Sequence, residues 1–363
     1  MLGEPDGSAQ DLHREELSRH AHETAHETGH ETGHETAQET PVPELLKKRL
    51  LVITGKGGVG KSTVTAGLAL LASDLGKRVL VVEVDAKGDI ASKFEHPPVG
   101  FTPVEVHPNV SVLAMDTEAS LREYLRLNLR IPVVGRIGPI ARVFDFVATA
   151  APGVKEVLTI GKIAWEVRES IAGRAPWDLV IVDAAATGHV VAQLGAPDAI
   201  KDLVSVGPIR SQTEWMTDLL ADPAITALNV VTTPEEMPVS ETIDLVGRAR
   251  SELDVPLGAV FVNRVLPELF TRAEESAFEA LSGEMVRTQL ESELGLDLRD
   301  GVESVLSGAR LAVTMRRSRA EHLSDLRAAV DLPMLYLPYL FTRTHGVRET
   351  RVVADALSAE FGL

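Results

Sequence analysis

The chain of 363 residues is 44% hydrophobic, 25% charged and only 4% aromatic, a composition that fits a globular enzyme and excludes a wholly disordered polypeptide. It has no cysteine, which rules out disulfides, thiolate zinc sites, iron–sulfur clusters and a cysteine nucleophile. Its net charge of −17 opposes long-range attraction to nucleic acid and to anionic lipid.

Residues 1–42 stand apart. They hold six of the eleven histidines, ten acidic residues against Arg14 and Arg19, and a four-residue beat from His22 to Thr40. His22, His26, His30 and His34 would line one face if this segment were helical, an arrangement suited to metal capture. No apolar stripe accompanies them, so the tail reads as a solvated, disordered acidic repeat. The region lacks the basic and apolar parts of a signal peptide, and no apolar run approaches the ~18 residues of a membrane span. The expected location is the cytoplasm, with no transmembrane segment.

From Leu45 onward, short apolar runs alternate with helical patterns. Strands are predicted at 49–54, 78–83, 110–114, 179–183, 227–232, 258–262 and 334–337. Most are apolar on both faces, as expected of a parallel sheet covered by helices, since each parallel connection needs a crossover of about a dozen residues. The intervals 115–178 and 264–333 exceed one crossover and read as helical insertions at one end of the sheet. The fold class is therefore α/β, a mostly parallel, doubly wound sheet.

Directly after the first strand comes Gly55-Lys56-Gly57-Gly58-Val59-Gly60-Lys61-Ser62, followed by a helical pattern from Thr63 to Leu75. This is G-x-x-x-x-G-K-[ST] in its strand–loop–helix context. Glycines there let successive backbone N–H groups turn toward a phosphate, and the following helix contributes the positive end of its dipole. Lys61 suits the β- and γ-phosphates, and the Ser62 hydroxyl suits Mg²⁺. Gly55, Gly57 and Gly60 also fit G-x-G-x-x-G, with Glu83 or Asp85 ending the next strand, which is the dinucleotide-binding alternative of an oxidoreductase. Two lysines in the loop, Lys56 and Lys61, favour a triphosphate. Asp183 ends an apolar strand where a metal-organising carboxylate is needed, and Gly188, in the Thr187-Gly188-His189 run that follows, is suited to approach a γ-phosphate.

These residues together resemble the ArsA/Get3 family of P-loop ATPases, the anion-transporting ATPases and their relatives in the deviant Walker A group. The likeness covers most of residues 48–355. It implies a P-loop NTPase domain over 43–363, with helical insertions near 116–176 and 264–310, that binds ATP and Mg²⁺ and hydrolyses ATP. Gly55 to Thr63 match the family loop, whose first lysine, here Lys56, reaches the nucleotide of a partner subunit. The resemblance thus implies a homodimer, or a heterodimer with a related ATPase subunit. Asp85 matches the residue that handles the attacking water, followed by Asp89 and by Phe94 at the family's spacing. Asp183 to His189 match the second switch, Pro152, Gly153 and Glu156 match a helix start, and Asn263 matches the residue that reads adenine. Leu337 to Phe341, including Pro338 and Leu340, match the loop beside the base.

Departures from the family bear on function. The cysteines of arsenite-responsive members are absent, as is the CxxC pair through which targeting members bind zinc at their dimer interface. The first switch lacks the family's proline and asparagine, and Ala186 replaces a proline in the second. The expected function is a nucleotide-driven dimeric switch acting on a protein partner or a membrane-protein client. One alternative is a regulatory ATPase that docks on a transporter or complex without carrying a client. Another is a partition-type ATPase on DNA, for which Arg316, Arg317 and Arg319 are the only basic cluster and against which the overall acidity argues. An apolar groove within 121–147 would favour client transport, whereas the arginines at 122, 126, 130, 136 and 142 would suit a charged surface.

Overall fold

The computed structural model describes residues 42–85, 87–128, 153–168, 175–203, 208–268, 271, 274, 292, 293, 301–342 and 346–363. The histidine-rich tail and most of 264–310 therefore lie outside the described residues, as do 129–152 of the first insertion.

After a short helix α1 (Val42–Leu45), strand β1 (Leu50–Gly55) leads into helix α2 (Lys61–Asp74). Strand β2 (Val79–Glu83), helix α3 (Asp89–Lys93), strands β3 (Val104–His107) and β4 (Val110–Ala114) and helices α4 (Thr117–Asn128) and α5 (Val154–Arg168) follow. Then come strand β5 (Leu179–Asp183), helices α6 (Thr187–Leu203) and α7 (Pro208–Ala221), strand β6 (Thr226–Thr232), helix α8 (Glu236–Glu252) and strand β7 (Leu257–Val265). Helix α9 (Gly301–Ala329), strand β8 (Met334–Pro338) and helix α10 (Val347–Glu360) complete the order. The eight strands form one sheet in the order β3-β4-β2-β5-β1-β6-β7-β8. Every pairing is parallel except β3 with β4.

All seven predicted strands are present. The one unexpected strand, β3, is a four-residue edge strand with a half-exposed pattern, hairpinned to β4 through Asn109 in a left-handed conformation (φ 61°). It sits where an antiparallel partner with one wet face is tolerated.

Side-chain alternation sorts the sheet into two cores. Leu51, Ile53, Val79, Val81, Leu179 and Ile181 face one layer, built from α2 and α10. Leu50, Val52, Leu80, Val82, Val180 and Val182 face the other, built from α5, α6, α7 and α8. The sheet is thus doubly wound, as expected. Helix α2 is buried from Val64 to Ser73, pressed between the sheet and α10. Gly67 permits that sandwich, because a Cβ there would stand 2.5 Å from Val353 Cγ1. Burying α2 so completely fixes its N-terminus, and with it Lys61 and Ser62, at the carboxyl edge of the central strands.

Candidate functional site

The site lies where β1, β2 and β5 end. Strand β5 sits between β1 and β2, so Asp183 pairs in register with Ile53 on one side and Glu83 on the other. In open α/β sheets, such a crevice at the carboxyl ends of the strands is where ligands bind.

The glycine-rich loop spans this crevice. Its start, Gly55, ends β1 in register with Val231 of β6. Val59 is buried and belongs to the α2 core, so the loop is pinned at its middle, while Gly57 and Gly58 are exposed. Gly60 caps α2 in the left-handed region (φ 95°). Its backbone carbonyl accepts the N–H groups of Thr63 and Val64, both at 3.0 Å. A Cβ on Gly60 would fall 2.3 Å from Asn263 Nδ2. That amide is occupied, because Asn263 Nδ2 donates to the Val59 carbonyl at 2.8 Å and Oδ1 accepts the Arg264 N–H at 2.9 Å. Asn263, at the end of β7, thus braces the loop from two strands away. Pro338 ends β8 in register with Val265, two residues beyond Asn263 on β7, and Leu340 packs partly against the α2 core.

Ser62 and Asp183, 121 positions apart in sequence, meet directly: the Ser62 hydroxyl donates to Asp183 Oδ2 at 2.7 Å. The other oxygen, Asp183 Oδ1, is buried with no partner. Burial raises the Asp183 carboxyl to about 6, reinforced by the negative charges of Glu83 and Asp89 and opposed by the Ser62 hydrogen bond and the Lys61 ammonium. Burial also pulls the Lys93 ammonium below its ordinary range, against the nearby charges of Asp89, Asp183 and Glu349. A buried anion with one unused oxygen, beside a hydroxyl, offers the hard oxygen donors that Mg²⁺ prefers. These residues therefore fit the divalent cation that the loop motif implies.

Other sequence-predicted residues are placed less directly. The Asp85 carboxylate is solvent-exposed and faces the Lys87 ammonium at 3.5 Å. Gly188 is exposed on the first turn of α6 with open space around its Cα. Lys56 is ion-paired to Glu241 of α8, whose second oxygen accepts the Thr187 hydroxyl at 3.2 Å. The Thr54 hydroxyl donates to the Ala185 carbonyl at 2.9 Å, tying the loop strand to the same segment. Gly153, with φ 92°, precedes α5 and its carbonyl accepts the Val157 N–H, as expected of a helix start; Pro152 lies outside the described residues. The basic cluster is engaged within the protein: Arg316 pairs with Glu268 and Arg319 with Glu235.

Sequence reading passed over Glu241. No motif marks it, and only its spacing after the acidic start of α8 hints at it. In sequence, Glu83 fits only the acidic position of a dinucleotide site. Its burial at the end of an otherwise apolar strand is the signal that it does something else.

A strand, a glycine-rich loop braced at its neck, a buried helix start and a carboxylate meeting the loop serine define a P-loop triphosphatase. Residues 48–210 and 205–281 match the family model described as Anion-transporting ATPase. The chain is 33% identical over 300 residues to ATPase BagA of Mycobacterium tuberculosis, an alignment covering 80% of this chain and 87% of that one. It is 28% identical over 253 residues to an arsenical pump-driving ATPase of Acidiphilium multivorum, covering 63% of this chain and 41% of that one. It is 25% identical over 254 residues to an ATPase ASNA1 homolog of Entamoeba dispar, covering 59% and 76% respectively. The chain belongs to the anion-transporting ATPase family and is an ATP-hydrolysing enzyme. The dinucleotide alternative is thereby set aside. Among the described residues, no helix is long and apolar enough to cross a membrane.

Proposed function

We propose that this ATPase is a Mg²⁺-dependent, cytoplasmic switch that dimerises around ATP and acts on a protein partner or a membrane-protein client. The observation that carries the reading is the Ser62 hydroxyl on the buried Asp183 carboxylate at the mouth of the glycine-rich loop. In this reading the backbone N–H groups of Gly57 to Thr63 and the Lys61 ammonium hold the phosphates, at the positive end of α2. Ser62 and Asp183 hold the cation, which when bound neutralises charge on the phosphate oxygens. Asp85 orients the attacking water and accepts its proton once its side chain turns inward. Asn263, Pro338 and Leu340 flank the adenine. Lys56 exchanges Glu241 for the γ-phosphate of the facing subunit, where an added positive charge stabilises the transition state.

The chemistry is transfer of the γ-phosphoryl group to water. The P–O bond to ADP breaks, a P–O bond to water forms, and the water proton leaves toward Asp85. Catalysis comes from positioning and from charges fixed in advance.

The test uses Asp85→Asn, which should bind Mg·ATP but stall before hydrolysis. Analytical ultracentrifugation should find a dimer in Mg·ATP and a monomer in EDTA. Mixing Lys56→Ala with Lys61→Ala subunits should restore part of the activity that each lacks alone. A monomer in both conditions, with no complementation, would remove the dimeric switch. Mass spectrometry of what co-purifies with the trapped form then separates the two partner readings: membrane proteins support client transport, and a soluble complex supports a regulatory docking ATPase.

A further inference from the structure

The strand alternation that puts Asp183 under helix α2 does the same for a second carboxylate. Val79 and Val81 of β2 face the α2 layer, and Glu83 continues that face, just as Asp183 continues Leu179 and Ile181 on β5. The two acidic residues are register partners on neighbouring parallel strands, so their side chains leave the sheet side by side. Both are buried, Glu83 at 2% exposure and Asp183 at 7%.

Each divides its oxygens in the same way. Asp183 gives Oδ2 to the Ser62 hydroxyl and leaves Oδ1 buried without a partner. Glu83 Oε1 accepts the Asp89 backbone N–H at 2.7 Å, and Oε2 is buried without a partner. One buried carboxylate oxygen lacking a donor is costly, and two on adjacent strands, each repelling the other, cost more. The Lys61 and Lys93 ammonium groups act on Asp183 from nearby, yet neither is hydrogen-bonded to these two oxygens. Such a pair is stabilised when a hydrated divalent cation supplies the missing charge and donors, since Mg²⁺ keeps several of its waters when bound.

We propose that Glu83 is a second carboxylate of the divalent-cation site, acting through the hydration shell of the cation, and that it couples the site to the Asp85 segment. The inference rests on the reading that Ser62 and Asp183 hold the cation. Glu83 is a positioning residue here. One oxygen faces the cation waters while the other accepts the Asp89 N–H, so the start of α3, four residues after Asp85, is anchored at the metal site. Occupancy of the cation site thereby bears on where Asp85 is held.

The test compares wild type, Glu83→Gln and Asp183→Asn, with Mn²⁺ as the probe and a non-hydrolysable ATP analogue in saturating amount. Free Mn²⁺ is read by electron paramagnetic resonance, so no turnover is involved. Glu83→Gln keeps an acceptor for the Asp89 N–H and nearly the same volume. It should weaken Mn²⁺ binding by about 10-fold or more, the usual cost of losing an outer-shell carboxylate. Binding of the same analogue in EDTA should remain at the wild-type level, which a merely structural defect would not allow. Wild-type Mn²⁺ affinity in Glu83→Gln, alongside weakened affinity in Asp183→Asn, would overturn the role of Glu83 and leave the Asp183 reading standing. Unchanged affinity in both would overturn the Asp183 reading and this inference with it. If Glu83→Gln does not fold, Glu83→Asp serves in its place: it retains the charge but withdraws it by one methylene, and wild-type Mn²⁺ affinity there would equally overturn the proposal.

Discussion

Replacing Asp183 with asparagine should stabilise the protein in the absence of nucleotide and metal while abolishing its ATPase activity. Burial raises the Asp183 carboxyl from its ordinary 3.8 to about 6. Between those two pH values the folded protein binds more protons than the unfolded chain, so stability falls as pH rises through the window and the full penalty is in place above about pH 6. A shift of about two pKa units corresponds to about 3 kcal/mol at pH 8. An amide of the same shape removes the charge and can still accept the Ser62 hydroxyl bonded at 2.7 Å. Its new N–H₂ needs a partner, which the free oxygen of Glu83 on the neighbouring strand can offer, so a net gain of about 1 to 3 kcal/mol is expected. In a chain of this size that corresponds to a Tm increase of roughly 2 to 6 °C. The assay is thermal unfolding by circular dichroism in EDTA, from pH 8 down to pH 5. The advantage over wild type should shrink by about 1.4 kcal/mol by pH 5, as the native carboxyl takes up its proton. An Asp183→Asn protein that melts below wild type at pH 8, or an advantage that does not change with pH, would refute the assignment of a strained buried charge.

Gly60→Ala should cost about 1 to 3 kcal/mol, because φ is 95° and the added Cβ would meet Asn263 Nδ2 at 2.3 Å. Chemical denaturation should register the loss, and a fluorescent ATP analogue should bind weakly; wild-type values for both would mean that the loop neck is not braced as described. Glu241→Gln should free Lys56 from its ion pair. The two side chains are 27% and 36% exposed, so the pair is worth no more than about 1 kcal/mol. Basal turnover should therefore rise by at most about fivefold. A fall to a small fraction of wild type would instead show that Glu241 takes part in binding or chemistry.

The parallel strands were legible because burial on both faces leaves an unbroken apolar run, and the β5 run ends at the carboxyl edge on Asp183. Asp183 was readable in this way, and the loop motif supplied its partner Ser62 across 121 positions. Strand β3 was not, since four half-exposed residues at a sheet edge carry neither a buried run nor a long alternation. The bond from Asn263 to the Val59 carbonyl spans 204 positions, and resemblance suggested only a contact with adenine there. Asp85 illustrates the opposite limit. Its place in the chain matches a catalytic carboxylate, yet its side chain is exposed beside Lys87.

Glu83 shows why a single residue can be visible in sequence and still be misread. Written as the end of an apolar strand followed two residues later by Asp85, it fits the acidic position of a dinucleotide fold, whose carboxylate must reach outward to a ribose. The odd spacing from Val79 and Val81 already committed its side chain to the α2 layer, and the same spacing committed Asp183 from Leu179 and Ile181. Sequence parity alone cannot say that β2 and β5 are neighbours, because the order of strands in the sheet is set by crossovers elsewhere in the chain. Once β5 lies between β1 and β2, the two carboxylates share one face of one crevice near Lys61 and Ser62, and an acidic residue that could have bound a ribose stands instead beside the proposed cation site.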